Sequence, residues 1–165
     1  MNALPNMIDK ETGQGLPRYN LRAANHGPGD LELEVWQVPS NGTPYLKKPL
    51  RIAGLRGRNL ALIEHRVLRL LAKGGVQLGS LKKNDQAHYT LSEDLALNLG
   101  LLFRTLAPMR NRENMRMVAD GIEAMGKEEA AYWLGMAMHR KYPRRVLMAL
   151  RFLLIDPKMS KLGKG

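Results

Sequence analysis

The sequence contains no cysteine among its 165 residues. This absence excludes disulfides, thiolate zinc sites, iron–sulfur clusters and cysteine nucleophiles. Long apolar runs are also missing, and none approaches the roughly 18 to 20 residues that a membrane-spanning helix needs. The N-terminal segment lacks the basic start and continuous apolar stretch of a signal peptide. We therefore expect a cytoplasmic protein that does not act at a membrane.

The sequence also has few of the motifs that identify enzymes. Its four histidines show no His-x-x-x-His or Glu-x-x-His spacing on a predicted helix, which argues against a metal site. It has no Gly-x-Ser-x-Gly elbow and no Walker loop. The expectation is a non-catalytic protein without a cofactor. The alternative is an uncharacterised hydrolase that uses glutamate and histidine, with Glu128, Glu129 and His139 as candidates.

Positive charge is what the sequence has in excess. The formal net charge is +11, which favours a polyanionic partner such as nucleic acid. Acidic and basic residues balance over residues 1–30, so the whole excess belongs to residues 31–165. Two stretches of that part, residues 40–58 and 139–155, contain no acid. A protein that needed charge only for solubility would intersperse the two signs more evenly, so the clustering indicates a binding face.

The N-terminal third predicts an arm followed by a β-hairpin. Residues 1–30 are rich in glycine and proline without apolar periodicity, which predicts a flexible or extended arm. Alternating residues over 31–38 predict a strand, and residues 50–53 predict its short return strand. Residues 76–91 are compatible either with a second hairpin, turning at Lys83-Asn84-Asp85, or with a loop.

Apolar residues at helical spacing predict five helices in the rest of the chain. The first begins at Asn59 as N-cap and ends at Gly74-Gly75, and the second begins at Ser92 and ends before Pro108. The others cover about 112–125, 128–141 and 143–155. Eight apolar residues are expected in the core: Leu60, Ile63, Val67, Leu99, Phe103, Ile122, Leu134 and Leu150.

The predicted fold class is α+β and predominantly α. A small N-terminal β-hairpin packs beside a bundle of about five helices. This single domain covers residues 31–156, and a basic C-terminal tail follows over 157–165.

The acid-free stretch HRKYPRR places Arg144 and Arg145 in the first turn of the last helix. Cations there cost about 0.3–1 kcal/mol each, because unpaired backbone N–H groups already make that end positive. An anion bound at the same place reverses this cost. Arginine also matches phosphate oxygens, and Tyr142 offers a ring for stacking on a base or sugar. Alternatively, the side chains point into water or pair with acids near Glu128 and Glu129.

The other acid-free stretch ends in GLRGRN, where Gly54 and Gly57 allow the backbone to approach a phosphate. Further basic residues at helical spacing either continue this surface along the first helix or form its solvated face. The candidate phosphate-binding residues are Arg140, Lys141, Tyr142, Arg144, Arg145, Lys47, Lys48, Arg51, Arg56, Arg58, Arg66 and Arg69.

Together these patterns predict a sequence-independent nucleic-acid-binding accessory protein, or a small basic subunit of a nucleoprotein complex. It would contact the backbone of DNA or RNA, with other subunits of the complex as further partners. The alternative is a scaffold subunit of a larger assembly that binds only protein. An exposed apolar patch containing Trp36 or Trp133 would favour that alternative.

Overall fold

The computed structural model describes residues 18–39, 48–139 and 141–156, which form an α+β fold. Four antiparallel strands make one sheet in the order β3-β2-β1-β4. The strands are β1 Arg18–Asn25, β2 Leu31–Val38, β3 Leu50–Arg56 and β4 Gln86–Leu91. The helices are α1 Gly57–Lys73, α2 Glu93–Leu106, α3 Arg112–Glu123, α4 Lys127–Ala137 and α5 Pro143–Ile155. No helix in the described ranges is both long and apolar enough to cross a bilayer.

The predicted hairpin is confirmed, since β2 and β3 pair antiparallel. It is only half of the sheet, however, because β1 and β4 extend it. The expectation of an arm was wrong for residues 18–30, which form β1 and its turn to β2; residues 1–17 lie outside the described residues. In β1, Leu21 and Ala23 point into the core while Arg22 points outward. Alanine and asparagine are poor strand formers, so the alternation was masked by composition.

Residues 76–91 form neither a hairpin of their own nor only a loop, although a turn does occur within the predicted Lys83-Asn84-Asp85. Residues 86–91 are the edge strand β4, and its partner is β1 rather than a neighbouring segment. The turn before it is built on Asn84, which has a positive φ of 71° and donates its N–H to the carbonyl of Asn25. Pairing between segments so far apart in sequence has no local signature.

The five predicted helices are confirmed, and all eight residues expected in the core are buried. Helix α2 is central and packs against the sheet, α3 and α4. Gly100 makes this close approach possible, since a Cβ there would lie 2.9 Å from Ile52 Cγ2 and 3.1 Å from Leu134 Cδ2. Helix α4 ends at Ala137 rather than near 141, so Lys141 lies in the connection to α5.

The helix caps follow the prediction in one of two places. The Ser92 side chain accepts a hydrogen bond from the N–H of Leu95 and so caps α2 as expected. Asn59 is not the N-cap of α1, because that helix begins two residues earlier, at Gly57. Its amide instead donates to backbone carbonyls at and beyond the end of α2, those of Leu106, Ala107 and Met109.

Candidate nucleic-acid interface

The candidate phosphate-binding residues lie in three places. Lys47 and Arg140 fall outside the described residues. The first group, at β3 and the start of α1, contains Lys48, Arg51, Arg56 and Arg58. The second, along α1, contains Arg66 and Arg69; the third, at the start of α5, contains Lys141, Tyr142, Arg144 and Arg145.

The second group joins α1 to α3. Arg66 Nη2 lies 2.6 Å from Asp120 Oδ1, and Arg69 Nη2 lies 3.1 Å from Glu123 Oε1. Arg66 also reaches Glu123 at 3.4 Å. These carboxylates already balance the charges of both arginines, and the ion pairs link α1 to α3. The two arginines therefore have a structural role that needs no bound phosphate.

Two arginines of the first group also have carboxylate partners. Arg56 makes a two-pronged contact with Asp30, with Nε–Oδ1 at 3.0 Å and Nη2–Oδ2 at 2.7 Å. This hydrogen bonding lowers the pKa of Asp30 and raises that of Arg56. Arg51 donates to Glu34, which is only 7% exposed and also accepts from Arg22 at 2.6 Å.

Glu34 is held ionised by these arginines. Burial opposes its negative charge, but hydrogen bonds from Arg51, Arg22 and Trp36 outweigh that effect and lower its pKa. Gly54 gives the Arg51 side chain room to reach Glu34, since a Cβ at Gly54 would overlap the guanidinium group. Gly54 thus serves an ion pair within the fold rather than a close approach to phosphate.

Arg58 differs from its neighbours because no carboxylate within the described ranges pairs with it. It lies in the first turn of α1, beside a shallow cleft of about 380 Å³ that Arg51 and Arg56 also line. Gly57, with φ of 63°, lets β3 pass directly into α1. The first turn of α1 contains no acid, and no side chain caps its N–H groups. Glu32 also lines the cleft, and Arg51 and Arg56 are already paired, so the unbalanced positive charge there comes from Arg58 and the backbone N–H groups of the first turn.

The third group has the same character at the start of α5. Its first turn contains no acid and no side-chain cap. Arg145 folds back over Tyr142, with Cζ 5.1 Å from the ring centroid, which is a cation–π contact. Glu128 and Glu129 were considered as possible partners of these arginines. They lie in the first turn of α4, whereas α5 follows the other end of that helix. No ion pair to Arg144 or Arg145 occurs within the described part of the chain.

Arg104, which was not among the candidates, joins β3 to the end of α4. Its Nε donates to the carbonyl of Ile52 in β3 at 3.0 Å, and its Nη1 donates to the carbonyl of Ala137 at 3.4 Å. Burial lowers the pKa of Arg104, and the nearby charge of Arg51 lowers it further. In the sequence, Arg104 is the lone charged residue of the apolar stretch GLLFRTLA, and this pattern could have indicated its role.

The hydrolase candidates do not come together. Glu128 and Glu129 begin α4, whereas His139 follows its end, about 16 Å away along the axis at 1.5 Å per residue. Glu64 lines an open cleft of about 620 Å³ beside α1, whose other lining residues include Asp30 and Lys83 but no histidine. Within the described ranges, no group of three or more histidine, aspartate or glutamate side chains could hold a metal ion.

Fold and surface together describe a basic α+β domain with cation clusters at the starts of α1 and α5. The chain belongs to the family described as a domain of unknown function, DUF7680, whose model matches residues 19–156. The match covers all five helices and almost the whole sheet. No curated protein and no solved structure matches the chain.

Proposed function

We propose that this protein is a non-catalytic, sequence-independent nucleic-acid-binding accessory protein of the cytoplasm, or a small basic subunit of a nucleoprotein complex. The observation that carries the proposal is that five of the candidate cations are exposed and have no carboxylate partner in the described part of the chain. We call this set the basic surface; its members are Lys48, Arg58, Lys141, Arg144 and Arg145.

The contrast with the neighbouring arginines supports a binding role. Arg51, Arg56, Arg66 and Arg69 each have a carboxylate within the fold, so their charges are already balanced. The basic surface is left with its charge facing solvent. Arg104 ties β3 to the end of α4, and these are the elements that precede α1 and α5 in the chain.

Phosphate is the ligand whose chemistry suits this surface. Arg144 and Arg145 stand at a helix end that already carries positive backbone charge, so their placement is unfavourable until an anion arrives. Contacts from arginine and lysine to phosphate oxygens position a nucleic acid without reading its bases. The proposed partner is therefore the backbone of DNA or RNA.

A salt titration of DNA and RNA binding tests the proposal. The variant is Arg144→Ala with Arg145→Ala, and the matched control is Lys82→Ala with Lys83→Ala. The control removes the same charge from exposed residues that precede β4, at the opposite edge of the sheet from β3. We expect affinity to fall for unrelated sequences alike in the arginine variant only. The slope of log affinity against log salt should flatten by about 0.9 per lost phosphate contact for duplex DNA.

Two results would contradict the proposal. The first is an unmodified protein that binds neither DNA nor RNA at low salt. The second is an equal loss of affinity in the arginine and lysine variants, because binding would then depend on total charge and not on the basic surface.

A scaffold subunit is the second candidate, and exposed apolar side chains favour it. Among the described residues, six large apolar or aromatic side chains are exposed, and only Leu68 lies outside the segment from α4 to α5. The other five are Tyr132, Met136, Tyr142, Met148 and Phe152. Aromatic residues, methionine and arginine are enriched in the cores of protein interfaces. The tryptophans named beforehand, Trp36 and Trp133, are both half-buried instead.

A further inference from the structure

Exposed aromatic rings are concentrated where acids are absent. Residues 130–155 contain no aspartate or glutamate, and every exposed aromatic side chain of the described residues lies within them. One of these is Phe152, which is 54% exposed, whereas Phe103, the only other phenylalanine, is fully buried. The chain therefore places scarce aromatic residues at the surface, beside cations.

Two of these rings, one arginine and one methionine form a row that starts at the N-cap of α5 and continues along the helix. Arg145 packs over the ring of Tyr142, and Met148 and Phe152 follow at spacings of three and four residues, which keeps them on one helix face. At 1.5 Å per residue, Tyr142 and Phe152 are about 15 Å apart along the axis. We call Tyr142, Arg145, Met148 and Phe152 the aromatic row.

We propose that the aromatic row binds single-stranded nucleic acid by base stacking, an inference that rests on the proposed function and specifies which form of polyanion the surface takes. The bases of a duplex stack on one another and offer no free faces to a protein ring. An unpaired strand offers both a free flat base and a phosphate in each nucleotide. Rings beside arginines match that combination, and stacking on aromatic side chains tolerates any base.

A second copy of the chain is a poor occupant for the same row. A twofold interface would place Arg144 and Arg145 of each copy against an identical acid-free surface. An acidic protein segment would satisfy the charge, and the arginine fork pairs with carboxylates as well as phosphates, but carboxylates offer no flat face on which Tyr142 and Phe152 could stack. The 15 Å row corresponds to roughly four base steps at the 3.4 Å spacing of a stacked strand.

Fluorescence anisotropy with labelled oligodeoxythymidine, and with a duplex of equal length, tests the inference. The variants are Tyr142→Ala and Phe152→Ala, with Tyr142→Phe keeping the ring and Leu68→Ala as a control exposed apolar residue on α1. All of these positions are exposed, so circular dichroism and Tm should stay unchanged. We expect each alanine variant in the row to bind the single strand between about five-fold and about 150-fold more weakly. Duplex affinity, and single-strand binding by Tyr142→Phe and Leu68→Ala, should stay close to the unmodified values.

The possible failures are distinguishable. If the row variants bind the single strand normally while Arg144→Ala with Arg145→Ala weakens both forms, base stacking is overturned and the proposed function stands. An equal loss for single strand and duplex in the row variants also overturns stacking. If the unmodified protein binds neither nucleic acid, the inference fails together with the proposed function.

Discussion

The guanidinium group of Arg104, in the last turn of α2, donates to the carbonyl of Ala137, the last residue of α4. The same group donates to Ile52, which lies where the pairing of β2 with β3 shifts register. One side chain thus meets a carbonyl left over at a helix end and another at an irregularity of the sheet. This relationship explains why a charge is tolerated within an otherwise apolar stretch of α2.

Replacing Arg104 by leucine should lower the free energy of unfolding by about 1–3 kcal/mol, because both carbonyls lose a donor in a half-buried place. Arg104→Lys should lower the free energy of unfolding by a smaller amount, because lysine keeps the positive charge. It should still lower it, because lysine lacks the fork that reaches two acceptors. Urea denaturation of the three proteins measures the difference. A leucine variant as stable as the unmodified protein would show that these hydrogen bonds are not needed.

Substitutions at Asn59 should separate its observed role from that of an N-cap. As an N-cap, asparagine and aspartate are about equally good, so Asn59→Asp would be neutral. Because the amide of Asn59 donates to three carbonyls, a carboxylate there would face three acceptors without a proton to donate. We expect Asn59→Asp to be more destabilising than Asn59→Ala, by about 1 kcal/mol or more at neutral pH. Thermal and urea unfolding of both variants give the order, and the reverse order would support an N-cap.

Tyr19 should ionise late in an alkaline titration. Burial raises the pKa of Tyr19 to about 12, and the negative charge of Glu93 adds to this effect. Tyrosinate absorbance should therefore show one group that titrates about two pH units above the ordinary value of about 10.

The same shift affects stability at high pH. The folded state holds the proton of Tyr19 more tightly than the unfolded state does, so its contribution is fully present below about pH 10. It is lost as the pH rises towards 12, at most about 2.7 kcal/mol for two units. Tyr19→Phe should remove this part of the pH dependence. An equal loss of stability at high pH in the unmodified protein and in Tyr19→Phe would contradict the assignment of this pH dependence to Tyr19.

The sequence was sufficient for features that depend on neighbours along the chain. Helical periodicity and the Ser92 cap predicted α2, and Pro143 correctly marked the start of α5. Strand β1 pairs with the adjacent β2, and it was missed because its composition masked the alternation. Strand β4 was missed because its partner β1 is distant in sequence, as in the pairing of Arg22 with His88. Alternation within six or eight residues of mixed polarity does not identify such a partner.

The candidate site was predictable to a similar extent. Charge clustering identified the acid-free stretches, and their described parts include the starts of two helices. The carboxylates that balance Arg56 and Arg66 are 26 and 54 residues away in the chain, so only the fold brings them together. Whether an arginine pairs with a carboxylate depends on the tertiary structure, so it cannot be predicted by counting charges along the sequence.

The inner position of β1 decides where this chain can be shortened. Strand β1 lies between β2 and β4 and pairs with both, and it is the partner that β4 has in the sheet. The composition of residues 1–30 suggests Leu31 as the start of a shortened form. Such a truncation would remove the strand that joins the two halves of the sheet. It would expose two hydrogen-bonding edges, which are the surfaces through which strands of different molecules aggregate. Shortened forms for biochemical work should accordingly begin before Arg18.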